Sequence, residues 1–363
     1  MQPHVILTST NKITVVPCSE ENPSSENKVK QSIKCKVSCW QKTAKSGYDK
    51  AYEKNNHIKC LTYCTQKLKQ AKFFKLSNVF QQQCSGITSV KFSQDGSKII
   101  FPTLDKRVQI WDVASRGAVQ ILKGFSDRIF DTQFLPDGNV VVQLGTKIEL
   151  WNTKSGRKVK ILQRYVGEKT RVQFSPDASM FIWCLQAKTI QLSDIKSGQL
   201  TKILEGHLHW VNDAQFSPNG QTIVSASDDT TIGVWDVKSG ERIRELRGHL
   251  RPVWRAQYSP DGQSIVSCST DNTIRIWDST SGKEVKKFKG LAKGVTDIKF
   301  SSDAQTVISC SYNEGIRLWN VRSGEEIQKL QVHSEHVTGV DISPDGNTIV
   351  ASCSDGAIQL WEW

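Results

Sequence analysis

A Trp followed by an acidic or amide residue recurs along the chain at an almost fixed interval. A repeat of that length restricts the fold more tightly than any bulk property. The pairs are Trp111-Asp112, Trp151-Asn152, Trp235-Asp236, Trp277-Asp278, Trp319-Asn320 and Trp361-Glu362. Successive Trp residues are 40, 84, 42, 42 and 42 positions apart. The 84-residue step is two periods of 42, and Ser193-Asp194 stands at its midpoint. Seven units are therefore in phase, and one has lost its Trp.

Each unit carries the same internal punctuation. A first apolar strand ends in Phe216-Ser-Pro-Asn-Gly220, Tyr258-Ser-Pro-Asp-Gly262 or Ile342-Ser-Pro-Asp-Gly346, where Pro and Gly preset turn dihedrals. A second strand such as 222–227 follows, then a tight turn through Asp228-Asp229-Thr230 and a third strand, 231–235. Ser239-Gly240 introduces a fourth strand, 242–246, before Gly248-His249. Four short strands in about 40 residues are the pattern of one propeller blade.

Gly-His, the turn and Trp-Asp at these spacings resemble the WD-repeat family, over residues 75–363. The resemblance implies an all-β fold, a seven-bladed β-propeller of four-stranded antiparallel blades around a central channel. The chain reaches Trp363 just after the third strand of unit seven. Alignment of unit one on its neighbours puts 75–81 where an outer strand belongs, so this segment is expected to complete the last blade and close the ring. The expected organisation is an extension over 1–74, poorly structured apart from a hairpin at 5–16, followed by a monomeric propeller over 75–363.

The residues that look catalytic have a structural reading in the same resemblance. His stands 28 residues before the Trp, Ser 8 before and Asp 6 before. Two units hold the full set: His207, Ser227, Asp229, Trp235 and His249, Ser269, Asp271, Trp277. The family implies a hydrogen-bonded chain inside the blade, and buried imidazole, hydroxyl and indole groups each require a partner. Units two and three retain almost none of the set and are expected to be the least rigid. The sequence has no phosphate-cradling glycine loop, HExxH or nucleophile elbow, so no enzyme, catalytic residue, metal or cofactor is expected.

The resemblance also implies where partners bind. Three positions per blade face the channel mouth, and here they are Arg128, Phe130, Trp210, Asn212, Pro252, Trp254, Thr296, His336 and Thr338, with Leu104, Asp228, Thr270, Tyr312 and Ser354 in the turns. Aromatic and Arg side chains dominate interface energetics, so other proteins or peptides are the expected partners. The competing reading of Trp210 and Trp254 is packing between blades. Trp319-Asn-Val-Arg322 resembles the box by which some WD-repeat proteins dock to a cullin–RING ubiquitin ligase adaptor, with Asn in place of Asp.

Net charge is +12, but its location matters more than its size. Residues 1–70 hold 12 Lys, no Arg and 5 acidic residues, whereas 71–363 carry only +5. The Lys-rich tail raises the alternative of an RNA- or ribonucleoprotein-associated propeller, although it lacks Arg and a stacking platform. Five of the ten Cys lie in this tail. Cys35, Cys39, Cys60 and Cys64 with His57 have a spacing compatible with zinc, but the supporting Gly turns are missing, and incidental thiols are expected instead. No stretch approaches the ~18 apolar residues of a membrane span. The first ten residues lack the features of a signal peptide. Reduced thiols and a cytoplasmic or nuclear location are expected.

Overall fold

The computed structural model describes residues 5–7, 13–15, 73–81, 86–164, 172–184, 188–288, 295–311, 315–332 and 336–363. The chain divides into two compact units, 1–71 and 72–363. In the first, Val5–Leu7 pairs antiparallel with Ile13–Val15. The expectations for Cys35, Cys39, His57, Cys60 and Cys64 fall outside the described residues.

The second unit consists of seven four-stranded antiparallel sheets. Blade four shows the plan: Val211–Phe216 innermost, then Thr222–Ser227, Ile232–Asp236 and Arg242–Leu246 outermost. The sequence dictates the turns between them. In Ser217-Pro-Asn-Gly220 the Gly220 N–H donates to Ser217 O at 2.9 Å, and Gly220 has a φ of 71°, a left-handed value that glycine adopts freely. The Ser217 hydroxyl then accepts the Thr222 N–H at 3.0 Å, which starts the second strand.

Burial follows strand position. The second strand is buried on both faces, as its unbroken apolar and small residues require. The outer strand alternates, with Ile243 exposed and Leu246 buried. Seven apolar clusters occupy the seven blade interfaces, and the Trp of each blade faces the preceding blade. Trp235 packs with Ile182, Cys184 and Leu192 of blade three, and Trp277 with Val224 and Val234 of blade four.

The final blade is composite. Val337–Ile342, Thr348–Cys353 and Ala357–Glu362 are completed by Lys75–Gln81, which pairs antiparallel with Ala357–Glu362. Ile87, Phe92 and Phe101 of blade one then pack on Val350, Ile358 and Leu360 of blade seven, so the ring closes through a continuous apolar interface. Closure leaves the first and last blades with no unpaired interface.

Candidate interaction face

Two polar networks hold the end of the strands where the inner strands begin. In blade four, His207 Nδ1 lies 2.8 Å from Asp229 Oδ2, and His207 Nε2 lies 2.7 Å from Ser225 Oγ. Trp235 Nε1 donates to that same Ser225 oxygen at 2.8 Å. Blade five repeats the chain through Asp271, His249, Ser267 and Trp277 at 2.9, 2.8 and 2.9 Å. With Asp ionised, the connectivity fixes the tautomer: Nδ1–H donates to the carboxylate, and Nε2 accepts from the Ser hydroxyl.

The serine in each chain is therefore not the one that spacing suggested. Ser227 and Ser269 are corrected to Ser225 and Ser267. Cross-strand pairing sets Ile223 opposite Trp235 and Ser225 opposite Gly233, so the indole reaches along its own face to Ser225. Ser227 lies a further pleat away. Its hydroxyl donates to His209 O and accepts the Asp229 N–H, bracing the turn. Ser269 does the same with Arg251 O and Asp271 N–H.

Burial opposes ionisation of Asp271, but hydrogen bonds from Thr273, His249 and the Leu250 N–H outweigh it and hold the carboxyl down at about 2. Asp229 experiences the same opposition and, through His207, Thr231 and the Leu208 N–H, stays well below the usual carboxylate range. Burial lowers the His249 pKa against the pull of Asp271, which keeps the ring neutral. His207, Ser225, His249 and Ser267 are all buried within their own blades, and the Asp at the end of each chain holds the loop N–H of Leu208 or Leu250.

The other blades satisfy the indole differently. Trp319 donates to Ser309 at 2.8 Å. Trp111 and Trp151 turn to the side chain two residues earlier, Gln109 Oε1 and Glu149 Oε2, each at 2.9 Å. Blade three exchanges the two positions: Trp183 sits where the others have Ser, Ser193 sits where they have Trp, and the indole donates to Ser193 Oγ at 3.3 Å. Blades two and three, which keep almost none of the expected set, each give the indole another acceptor.

The inner strands carry a bulge at the same place in most blades. Register shifts fall between Ile129 and Asp131, Val211 and Asp213, Val253 and Arg255, Val295 and Asp297, and Val337 and Gly339. The extra residue is Phe130, Asn212, Trp254, Thr296 or Thr338. A bulge redirects its side chain out of the pleat, and Trp254 is exposed there. Trp254 is 43% exposed and Trp210 is 47% exposed, so neither is an interblade core residue. Backbone bonds fasten the second turn beside them: Asp228 N–H to Trp210 O at 2.9 Å, Thr270 N–H to Pro252 O at 3.1 Å, and Ser354 N–H to His336 O at 3.0 Å.

Most of the expected mouth residues thus gather at one end of their blades. Asn212 donates to Asp228 at 2.6 Å and to Val253 O at 2.9 Å, tying blade four to blade five. The Arg128 guanidinium lies 5.3 Å from the centre of the Phe130 ring. His336 is half-buried. Tyr312 lies outside the described residues, as does the side chain of Thr296.

Leu208 and Leu250 were missed, yet they are 75% and 79% exposed. Each follows the buried His directly, and its N–H is held by Asp229 or Asp271. The sequence signal was a large apolar residue in the loop just after Gly-His. Also missed were ion pairs between the inner strands of neighbouring blades. Arg255 bridges Asp213 at 3.5 Å and Asp297 at 3.0 Å, and Lys91 meets Asp131 at 2.6 Å.

The ligase-type box presents little at the surface. Trp319 is buried, and Asn320 caps the Ser323 N–H at 2.7 Å, which leaves Arg322 exposed. Residues 74–112 match the WD domain, G-beta repeat family, and residues 210–362 match the family described as IFT122 first beta-propeller. No curated protein matches the chain. With these matches, the in-phase repeat and seven four-stranded sheets closed into a ring, the chain is a seven-bladed WD-repeat β-propeller.

Proposed function

We propose that this propeller is a non-catalytic platform for other proteins, engaged through the mouth of blades four and five. WD-repeat propellers serve generally as protein-interaction scaffolds. The observation that carries the finer reading is the exposure of Leu208, Trp210, Leu250 and Trp254 on adjacent blades. Exposed aromatic and large aliphatic side chains on a soluble surface are the usual anchors of a partner. The platform is stiff beneath them, because the Asp229 and Asp271 networks fix the loops from which Leu208 and Leu250 project.

Affinity capture with mass spectrometry, comparing wild type with a Trp210→Ala/Trp254→Ala variant, tests this reading. Partners should be lost from the variant while its thermal unfolding stays within a few degrees of wild type. Capture of the same set by a folded double variant would sink it. The described cysteines Cys184, Cys268, Cys310 and Cys353 are all buried thiols, which fits a reducing location, cytoplasmic or nuclear.

A further inference from the structure

One register position links neighbouring blades at the end of the strands away from the mouth. It lies on the outer strand, nine residues after the Trp position. In blade two it is Lys160, whose Nζ donates to Ile195 O and Lys196 O of blade three, both at 2.6 Å. In blade three it is Lys202, which donates to Val237 O at 2.9 Å and to Lys238 O. In blade six it is Gln328, which accepts the Phe74 N–H at 2.9 Å and donates to Phe74 O at 2.7 Å. In each case the side chain caps backbone beyond its own blade.

Blade four departs from this. Arg244 occupies the position but makes no hydrogen bond or ion pair with any described residue. It is half-buried, and its stem is covered, since a Cβ on Gly282 would lie 3.5 Å from Arg244 Cδ. A cleft of about 320 Å³ opens beside it between blades four and five. Thr222, Ile243 and Arg244 line one wall, and Tyr258, Asp261 and Thr280 the other. The Tyr258 hydroxyl and Thr222 Oγ1 are 2.9 Å apart, which ties the two walls together. Lys286 of blade five also has no hydrogen bond or ion pair among the described residues, but it does not line this cleft.

The acidic groups nearby are hydrogen-bonded to their own turns, and Arg244 acts on Asp278 through its field without forming an ion pair with it. Asp261 Oδ1 accepts from the Ser259 hydroxyl and the Gln263 N–H, and Asp278 Oδ1 accepts from the Ser281 N–H and hydroxyl. A partly desolvated guanidinium with open donors is costly unless an oxyanion meets it, and its planar fork matches a carboxylate. One Arg beside Asp261 suits a monoanion better than a phosphate, which recruits several cations. Ile243, 46% exposed at the rim, offers an apolar contact for the neighbouring residue.

We propose that the Arg244 cleft receives an Asp or Glu side chain of an extended acidic–apolar peptide segment. This site lies at the opposite end of the strands from Trp210 and Trp254 and is independent of the mouth. The test uses a fluorescent peptide of alternating Leu and Glu, with binding to the full chain read by anisotropy. Arg244→Gln should weaken binding about tenfold or more, as loss of a charge-assisted pair requires. Arg244→Lys should fall between the two, while Trp254→Ala and the distant Arg322→Ala should leave the affinity unchanged.

The assignment is overturned if the peptide fails to bind wild type, or if Arg244→Gln binds as well as wild type. An equal loss in Arg322→Ala would mean nonspecific charge attraction and overturns it too. Stronger binding of a phosphoserine-for-Glu peptide, or displacement by low millimolar inorganic phosphate, would replace the carboxylate with a phosphate. Unfolding midpoints of all variants accompany the binding data, so that a folding defect is not read as a lost site.

Discussion

Replacing Ser225 with Ala separates the observed network from the one that spacing suggested. Ser225 Oγ receives the Trp235 indole N–H at 2.8 Å and faces His207 Nε2 at 2.7 Å. The hydroxyl and both ring groups are buried, with His207 3% and Trp235 0% exposed. Ser225→Ala therefore leaves one buried donor and one buried acceptor unmet. An unmet buried polar group costs about 1–3 kcal/mol, so a combined loss of about 2–4 kcal/mol is expected. At roughly 2–4 °C per kcal/mol for a domain of this class, Tm should fall by roughly 5–15 °C. Ser227→Ala removes a 3.3 Å bond to His209 O and the acceptor for the Asp229 N–H, both near the turn surface. It should cost about 1 kcal/mol. Thermal unfolding by circular dichroism measures both, and hydrogen exchange at the Trp235 indole reports the bond directly. The reasoning fails if Ser227→Ala is as damaging as Ser225→Ala, or if the indole proton stays equally protected in Ser225→Ala.

Three further outcomes follow from the same geometry. Arg255→Met removes the cation between the buried Asp213 and Asp297 and should cost about 3–5 kcal/mol in denaturant unfolding; a loss below about 1 kcal/mol would refute the role given to the bridge. In blade three, Trp183→Ser alone should destabilise, and adding Ser193→Trp should recover a large part of the loss by restoring the arrangement of blade four, so a double-mutant cycle with no coupling would contradict the exchange. Stability should also fall in acid in two stages. The lowered pKa of His249 means that protons favour the unfolded chain as pH falls below about 6.5, and the depressed Asp271 stabilises the fold above about pH 4 and loses that contribution as pH falls toward about 2. A Tm that stays flat from pH 7 to 3 would exclude both.

The repeat made the blade count legible, because a 42-residue phase survives the loss of one Trp at Ser193. The phase also placed an outer strand at 75–81, and Lys75–Gln81 is the strand paired with Ala357–Glu362. Spacing alone misplaced the serine. Ser225 and Ser227 are two residues apart on one face of a strand, and only the pairing of Ser225 with Gly233 shows which one the indole reaches. The template gives the second and third blades almost none of the set, yet their indoles find acceptors, for a related reason. Glu149 and Ser193 stand at other positions than the usual partner, so a template reads them as losses although they accept the same proton.

The sequence by itself determined the architecture, since period, turn chemistry and strand patterning are local and each unit repeats them. It also nominated the mouth, because the family resemblance assigns channel-mouth positions and aromatic side chains such as Trp210 and Trp254 fill them. Only the tertiary structure decided their exposure. The bulge that turns Trp254 outward is a mismatch between two paired strands, invisible in either strand alone. The same holds for Arg244, whose sequence position matches Lys160 and Lys202. That it lacks their backbone partners depends on how blade five sits against blade four, a relation no linear pattern contains.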